Sequence, residues 1–284
     1  MNGAYTARMF RPFLVLCCLF TIQTPQPAVT YEAFAIRFGI LPAFPVAGLV
    51  AGADRTRKLD IPVMVWLLKG SNGRQVLVDS GFYRQKFLDQ WKPRDFRSPA
   101  TAVEAAGVKP DAVTDIVISH AHWDHVDGAD LFPKATVWIQ REEYRYYTGE
   151  AWQTRNAHGG VDADDMQALL KINTEGRLKF VEGDGQEIMP GITCYIGGKH
   201  TFASQYATAK TDSGTIVLAS DNVYLYENLE KHVPIAQTLD AGSNLRTQDR
   251  MRSVASEPRF VIPGHDPAVF DRFPHVADRI VRIE

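Results

Sequence analysis

The apolar run Asp115-Ile116-Val117-Ile118 leads straight into Ser119-His120-Ala121-His122-Trp123-Asp124-His125-Val126-Asp127-Gly128, where three histidines and a carboxylate fall within six consecutive positions. β-Branched residues in a short apolar block predict a buried strand, so the polar cluster begins where the strand stops and a loop can turn its side chains toward one point. Neutral imidazole and carboxylate are the donors that borderline divalent ions such as zinc prefer. A polar loop that merely happens to be rich in histidine is the plainer account. It is outweighed because several ligand-type side chains on one short loop are how metal sites are commonly built. The segment therefore asks for a fold in which a strand end holds a metal.

A chain of 284 residues can bury a sizeable core, and no stretch of it looks like a linker between two large domains. One catalytic domain over residues 31–284 is expected, behind a leader over residues 1–28. In that leader Arg8 and Arg11 precede the apolar run Phe13 to Phe20, and a stretch containing Pro and Gln follows, ending near Ala28. These are the charged, apolar and polar regions of a secretory signal peptide, which predicts a periplasmic or secreted protein; a misassigned start codon would leave it cytoplasmic. The apolar run is too short to span a bilayer, so no stable membrane insertion is expected. With 31 basic against 33 acidic side chains there is no electrostatic footprint for nucleic acid, and a small neutral or weakly charged partner fits better. Cys17 and Cys18 lie in the leader, leaving Cys194 alone, a small core residue in an alternating stretch rather than part of a disulfide framework.

Further along, Tyr31, Phe34, Ile36 and Phe38 predict a strand followed by an unusually apolar loop from Leu41 to Gly52. Pro62 to Leu68 and Gln75 to Asp79 flank Gly70-Ser71-Asn72-Gly73, the turn chemistry of a β-hairpin. Helical periodicity covers Tyr83 to Trp91, Ala100 to Ala106 after the start signal Ser98-Pro99, Arg141 to Tyr147, Asp164 to Ile172 and Leu245 to Ser256. Strands are expected at Thr136 to Gln140, Leu178 to Val181, Ile192 to Ile196 and Thr215 to Ala219. Sheets packed inside helices follow from this alternation, without internal repeats.

Three distant residues share the form of the first cluster, an apolar strand followed by a ligand-type side chain. His200 lies in Gly197-Gly198-Lys199-His200-Thr201-Phe202-Ala203-Ser204-Gln205, Asp221 ends Ile216 to Ser220, and His265 ends Phe260-Val261-Ile262-Pro263-Gly264. A sheet scaffold presents side chains along one edge in this way. The ordered set of His-x-His-x-Asp-His followed by His, Asp and His resembles the metallo-β-lactamase superfamily, over about residues 31 to 275. The resemblance implies an α/β fold, the αββα sandwich of two mixed sheets flanked by helices, with two divalent metal ions, zinc by default, at one rim. Carried over by position, His120, His122 and His200 would hold the first ion, Asp124, His125 and His265 the second, and Asp221 would bridge them. Asp79, in Val78-Asp79-Ser80-Gly81, matches a carboxylate that orients the loop carrying the first histidines. His158, His232 and His275 match nothing in the pattern and are expected at the surface.

Within the superfamily, the zinc β-lactamases lack the bridging aspartate, flavodiiron proteins have glutamate where this chain has His122, and glyoxalase II adds a helical region absent after His265. What remains is similar to the N-acyl-homoserine lactonases, which place a tyrosine three residues after the bridging aspartate, as Asp221-Asn222-Val223-Tyr224 does here. The resemblance implies hydrolytic opening of a small-molecule lactone, with Tyr224 donating to the carbonyl oxygen and Asp124 carrying the proton. The apolar loop around Phe44, helped by Trp152, is expected to receive an acyl chain; packing onto the sheet or homodimer contact are its other uses. The departure of Gly-Lys-His-Thr-Phe-Ala-Ser-Gln from the commoner Gly-His-Thr-Pro-Gly form concerns the backbone beside His200. Another cyclic ester, a β-lactam or an organophosphate would use the same site, and a non-catalytic metal- or signal-binding protein is the alternative from another class.

Overall fold

The computed structural model describes residues 1–4 and 28–284, so the leader expected over residues 1–28 falls, apart from its ends, outside the described residues. The strands in chain order are β1 (Tyr31–Pro45), β2 (Lys58–Gly70), β3 (Gln75–Val78), β4 (Asp115–Val117), β5 (Thr136–Gln140), β6 (Leu178–Val181), β7 (Gln186–Met189), β8 (Ile192–Ile196), β9 (Gln205–Thr211), β10 (Gly214–Ser220), β11 (Val261–Pro263), β12 (His275–Ala277) and β13 (Ile280–Ile283). The helices are α1 (Gln85–Trp91), α2 (Pro99–Ala105), α3 (Trp123–Val126), α4 (Arg141–Tyr147), α5 (Ala163–Thr174), α6 (Tyr226–Glu230), α7 (Ala241–Val254) and α8 (Val269–Arg272). An 8-stranded sheet runs β12-β13-β1-β2-β3-β4-β5-β6, and a 5-stranded sheet runs β11-β10-β9-β8-β7. Both are mixed: β3 to β6 are parallel in the first, and β10 and β11 are parallel in the second.

The interior of β2 shows why two layers form. Residues Ile61 to Leu68 are all buried, and because side chains alternate along a strand they serve two cores. Ile61, Val63, Val65 and Leu67 join Phe87, Val103, Met166 and Leu169 under the helices, whereas Met64, Trp66 and Leu68 meet Cys194, Tyr206, Val217 and Ile262 of the second sheet. Cys194 is thus a core residue between the sheets, and burial pushes its thiol well above the ordinary cysteine range. Among the described residues no helix is long and apolar enough to cross a membrane.

Most expected elements form where the pattern placed them, including the β2–β3 hairpin and the Ser98 cap, whose side chain accepts from Thr101 N. The expected loop at Leu41 begins inside β1 instead. A register shift between Leu41 and Phe44 interrupts the alternation, after which Phe44 and Pro45 pair again with Leu59 and Lys58. A bulge of this kind hides a strand from a period-two pattern. β7 and β9 gave no signal either, since Gln186–Met189 is partly solvated and Gln205–Thr211 is built of small and polar residues.

Candidate metal centre

All the expected ligands converge at the carboxyl ends of strands from the two sheets: β4 delivers the His120 loop, β8 the His200 loop, β10 Asp221 and β11 His265. The His120 loop turns into α3, where His122 O accepts from His125 N (3.0 Å) and Val126 N (3.2 Å), so one helical turn carries Asp124 and His125 away from His120 and His122. Gly128 closes the turn against the chain after β3: its N–H donates to Gly81 O at 2.8 Å, and a Cβ here would lie 2.1 Å from Ser80 O. Gly264 permits an equally close approach, since a Cβ there would lie 2.8 Å from Asp221 Oδ1.

Two groups of donors result. One ligand atom from each of His120, His122, His200 and Asp221 lies within 4.8 Å of the others, and the same holds for Asp124, His125 and His265. Asp221 faces both groups with different oxygens. Its Oδ2 is 3.7 Å from His120 Nε2 and 3.4 Å from His200 Nε2, while its Oδ1 is 3.3 Å from His125 Nε2 and 3.0 Å from His265 Nε2. Asp124 Oδ2 completes the second group at 3.5 Å from His125 Nε2 and 3.7 Å from His265 Nε2.

Hydrogen bonds at the far nitrogens select the tautomers. His200 Nδ1 donates to Gln237 O (2.7 Å), His265 Nδ1 to Pro62 O (3.0 Å), His125 Nδ1 to Asp79 Oδ2 (2.8 Å) and His120 Nδ1 to Ser119 Oγ (2.9 Å). In each ring the proton sits on Nδ1 and the Nε2 lone pair points inward. Buried acceptors without partners ask for a cation: His120 Nε2, His125 Nε2 and Asp221 Oδ1 have no hydrogen-bond partner, and His200 Nε2 and His122 Nδ1 face each other beside them at 3.0 Å. Charge points the same way. Burial, reinforced by the neighbouring imidazoles, lowers the pKa of His120 far below the ordinary range and that of His122 to about 3, so both stay neutral. Burial opposes protonation of His125 and His265 too, but the carboxylates beside them outweigh it and raise both. Two imidazole-rich groups joined by one carboxylate, with a demand for positive charge, fit a pair of divalent ions.

Asp79 is buried at φ +60 and accepts from four donors: Ser119 N (2.8 Å), Ser119 Oγ (3.0 Å), Ser220 Oγ (2.8 Å) and His125 Nδ1 (2.8 Å). Its direct histidine partner is therefore His125 of the second group, and it reaches His120 through Ser119. Asp79→Asn preserves shape but puts an amide against one of these donors. We expect metal affinity of the second group to fall roughly 10- to 100-fold, measured by competition with a chromophoric chelator.

His122, Asp124, His200, Asp221 and His265 line a cavity of about 400 Å³, together with Leu41, Phe44, Leu49, Ile61, Trp91 and Trp123 and with Gln237, Thr238 and Leu239. Phe44 lines this cavity and stacks on Trp91 (6.2 Å between ring centres), which stacks on Trp123 (5.2 Å). Trp152 does not. It lines a separate hollow with Met166 and Leu170, stacked on His158 and donating to Tyr147 O, because the turn after α4 carries it away from the donors. His232 pairs with Asp249 at 3.0 Å and His275 is exposed, as expected of residues outside the pattern. Trp91 and Trp123 were passed over in the sequence because aromatic residues at helical spacing resemble core. Glu143, Ser119, Ser220 and Gln237 gave no signal, since they act on the ligands through hydrogen bonds.

Tyr224 borders the same cavity, edge-on to His200 with 5.5 Å between ring centres. Its backbone oxygen accepts from His265 N at 3.1 Å, so tyrosine and ligand move together. Burial raises the phenol pKa well above its usual value, and the Asp221 and Asp124 charges add to this, so the phenol keeps its proton.

Comparison with known proteins gives a consistent picture. Residues 60–265 match the model of the metallo-beta-lactamase superfamily. An N-acyl homoserine lactonase of Bacillus cereus is 29% identical over 225 residues, spanning 73% of this chain and 82% of the relative. Among solved structures, a quorum-quenching N-acyl homoserine lactone lactonase superposes with a TM-score of 0.71 at 23% identity, covering 90% of this chain and 99% of the other. AidC, described as a dizinc quorum-quenching lactonase, superposes with a TM-score of 0.63 at 14% identity, over 90% and 97% of the two chains.

Proposed function

The chain belongs to the metallo-beta-lactamase superfamily, and from that premise we propose that it is a metal-dependent hydrolase that opens the ring of an N-acyl homoserine lactone. The observation that carries the choice of a lactone is the placement of Tyr224: a protonated phenol at the cavity wall beside Asp221, where the carbonyl oxygen of a bound ester could meet it. The relatives' names and the apolar residues lining the same cavity support the acyl-lactone class.

The proposed ligands are His120, His122 and His200 for one ion and Asp124, His125 and His265 for the other, with one oxygen of Asp221 for each. Zinc suits the imidazole and carboxylate set, and AidC is described as dizinc. When bound, such ions supply Lewis acidity, which polarises a carbonyl oxygen and makes water acidic enough to be a nucleophile at neutral pH. The protein's own groups then divide the remaining work. Tyr224 donates its phenol proton as a hydrogen bond to the carbonyl oxygen while charge builds there. Asp124, whose side chain is 13% exposed toward the cavity, takes the proton that the attacking water loses and returns it to the ring oxygen as the ester bond breaks. Water adds across the C–O bond, and the product is the open hydroxy acid. Phe44, Trp91 and Trp123 hold the acyl chain, which leaves its amide and ring over the donors.

One set of assays tests this. Purified protein is offered homoserine lactones of short and long acyl chains, a sugar-type lactone, nitrocefin, a thioester and paraoxon, each with and without chelator. Chelator-sensitive turnover of the acyl homoserine lactones above the rest is expected, and cleavage of another substrate without lactone turnover would overturn the assignment. In the same assay Phe44→Ala should raise KM for long acyl chains about tenfold relative to short ones, from the loss of one aromatic contact. An unchanged chain-length preference would remove Phe44 from the acyl site.

A further inference from the structure

The two halves of the first donor group come from different sheets. His120 and His122 stand on the loop after β4 in the first sheet, and His200 on the loop between β8 and β9 in the second. Glu143 of α4 joins them. It is fully buried, and its carboxylate accepts from Ala121 N (3.0 Å), Thr201 Oγ1 (2.7 Å) and Ala203 N (2.6 Å). Oε1 takes one donor from each loop, and Oε2 takes a second from the His200 loop. Ala121 lies between His120 and His122, so holding its N–H holds the backbone of both. Thr201 and Ala203 follow His200 directly. One turn further along α4, Tyr147 Oη accepts from Phe202 N at 3.4 Å, so residues 201 to 203 all hang on this helix.

A carboxylate is the group this position needs, since three donors converge on two oxygens and none of the three has another acceptor among the contacts above. An amide could meet two of them only by turning its own N–H toward the third. The neighbouring Glu142 is exposed and reaches Arg145 instead, so the placement is a property of position 143 and not of acidic residues on this helix at large.

We propose that Glu143 is a positioning residue that fixes the separation between His200 and the His120–His122 pair, and thereby sets the metal affinity of the first donor group selectively over the second. This rests on the two-metal centre proposed above. His125, which Glu143 does not touch, is held instead by Asp79, itself bonded to Ser220, and this network meets His120 through Ser119.

The test uses zinc or cobalt(II) as the probe and titrates the full-length chain against a chromophoric chelator. His200→Ala, which lacks one donor of the first group, is the reference for a chain holding metal at the second group alone. In Glu143→Gln the first group should bind roughly 10- to 100-fold more weakly while the second keeps its affinity. Under limiting chelator the cobalt spectrum and the metal count should then match those of His200→Ala, with excess metal restoring the wild-type spectrum. Thr201→Val leaves the carboxylate in place and removes one donor; it should shift the same constant in the same direction by less, and it decides the matter if Glu143→Gln does not fold. Unchanged affinities, or equal weakening of both groups, overturn the proposal. A wild-type chain that binds fewer than two ions refutes the two-metal centre itself, an outcome separable from the behaviour of the variants.

Discussion

Asp221→Ala is expected to lower lactone turnover by about 10³-fold or more, beyond the 10- to 100-fold typical of losing a partner behind a ligand, and to reduce the metal content. The reason is the division of its two oxygens. Oδ2 faces His120 and His200 and Oδ1 faces His125 and His265, so the substitution withdraws a donor from both groups at once. It also removes the negative charge that these rings share; Asp221 is itself held ionised against burial by His125 and His265. Asp221→Asn separates the contributions, because it keeps the shape and one oxygen while losing the charge, and it should fall between Ala and wild type. The measurement pairs turnover with metal analysis of the same samples. A variant with full activity and two ions would mean that the carboxylate does not bridge.

Tyr224→Phe should reduce kcat by about 10²- to 10³-fold, the usual cost of one donor to a developing oxyanion, with KM nearly unchanged. The phenyl ring preserves the edge contact with His200 and the tilted contact with His265, and the backbone bond to His265 N does not depend on the side chain. Metal content should therefore equal that of wild type, which distinguishes a lost proton donor from a disturbed metal centre. The sign of the pH dependence follows from the raised phenol pKa: the donor form persists through the neutral and moderately alkaline range, so loss of the Tyr224 proton should not appear in the wild-type rate profile up to the ordinary tyrosine value. A kcat within threefold of wild type would remove Tyr224 from the reaction.

How much of this was legible in the sequence depended on the kind of contact a residue makes. His120, His200, Asp221 and His265 could be found because each follows an apolar run, and a strand end is visible as a change in pattern. Asp79 could be placed only through the resemblance, and its direct bond to His125 became visible only in three dimensions. Glu143 had no chance of being singled out. It sits beside Glu142 in Arg-Glu-Glu-Tyr, where both look like the solvated face of a short helix, and only the fold shows that one is buried under two ligand loops. Trp152 was drawn into the pocket by its chemistry alone, whereas Trp91 and Trp123 hold the wall that it was expected to provide. In the fold, long apolar strands declared themselves. The extension of β1 past Leu41 did not, because a bulge breaks the alternation on which recognition depends.

The core between the sheets has a consequence for how variants of this protein should be interpreted. His120, His122 and His125 ride on one sheet while His200, Asp221 and His265 ride on the other, with Trp66, Cys194 and Tyr206 packed between. The layer of side chains between the sheets is thus the spacer of a measuring instrument whose jaws are the two donor sets. Thinning that spacer, as Tyr206→Ala or Trp66→Leu would, is expected to change the gap between the donor sets without replacing any donor. Such a variant would present as an enzyme with weak metal binding and be mistaken for a defect in the active site, although the injury lies wholly in the packing.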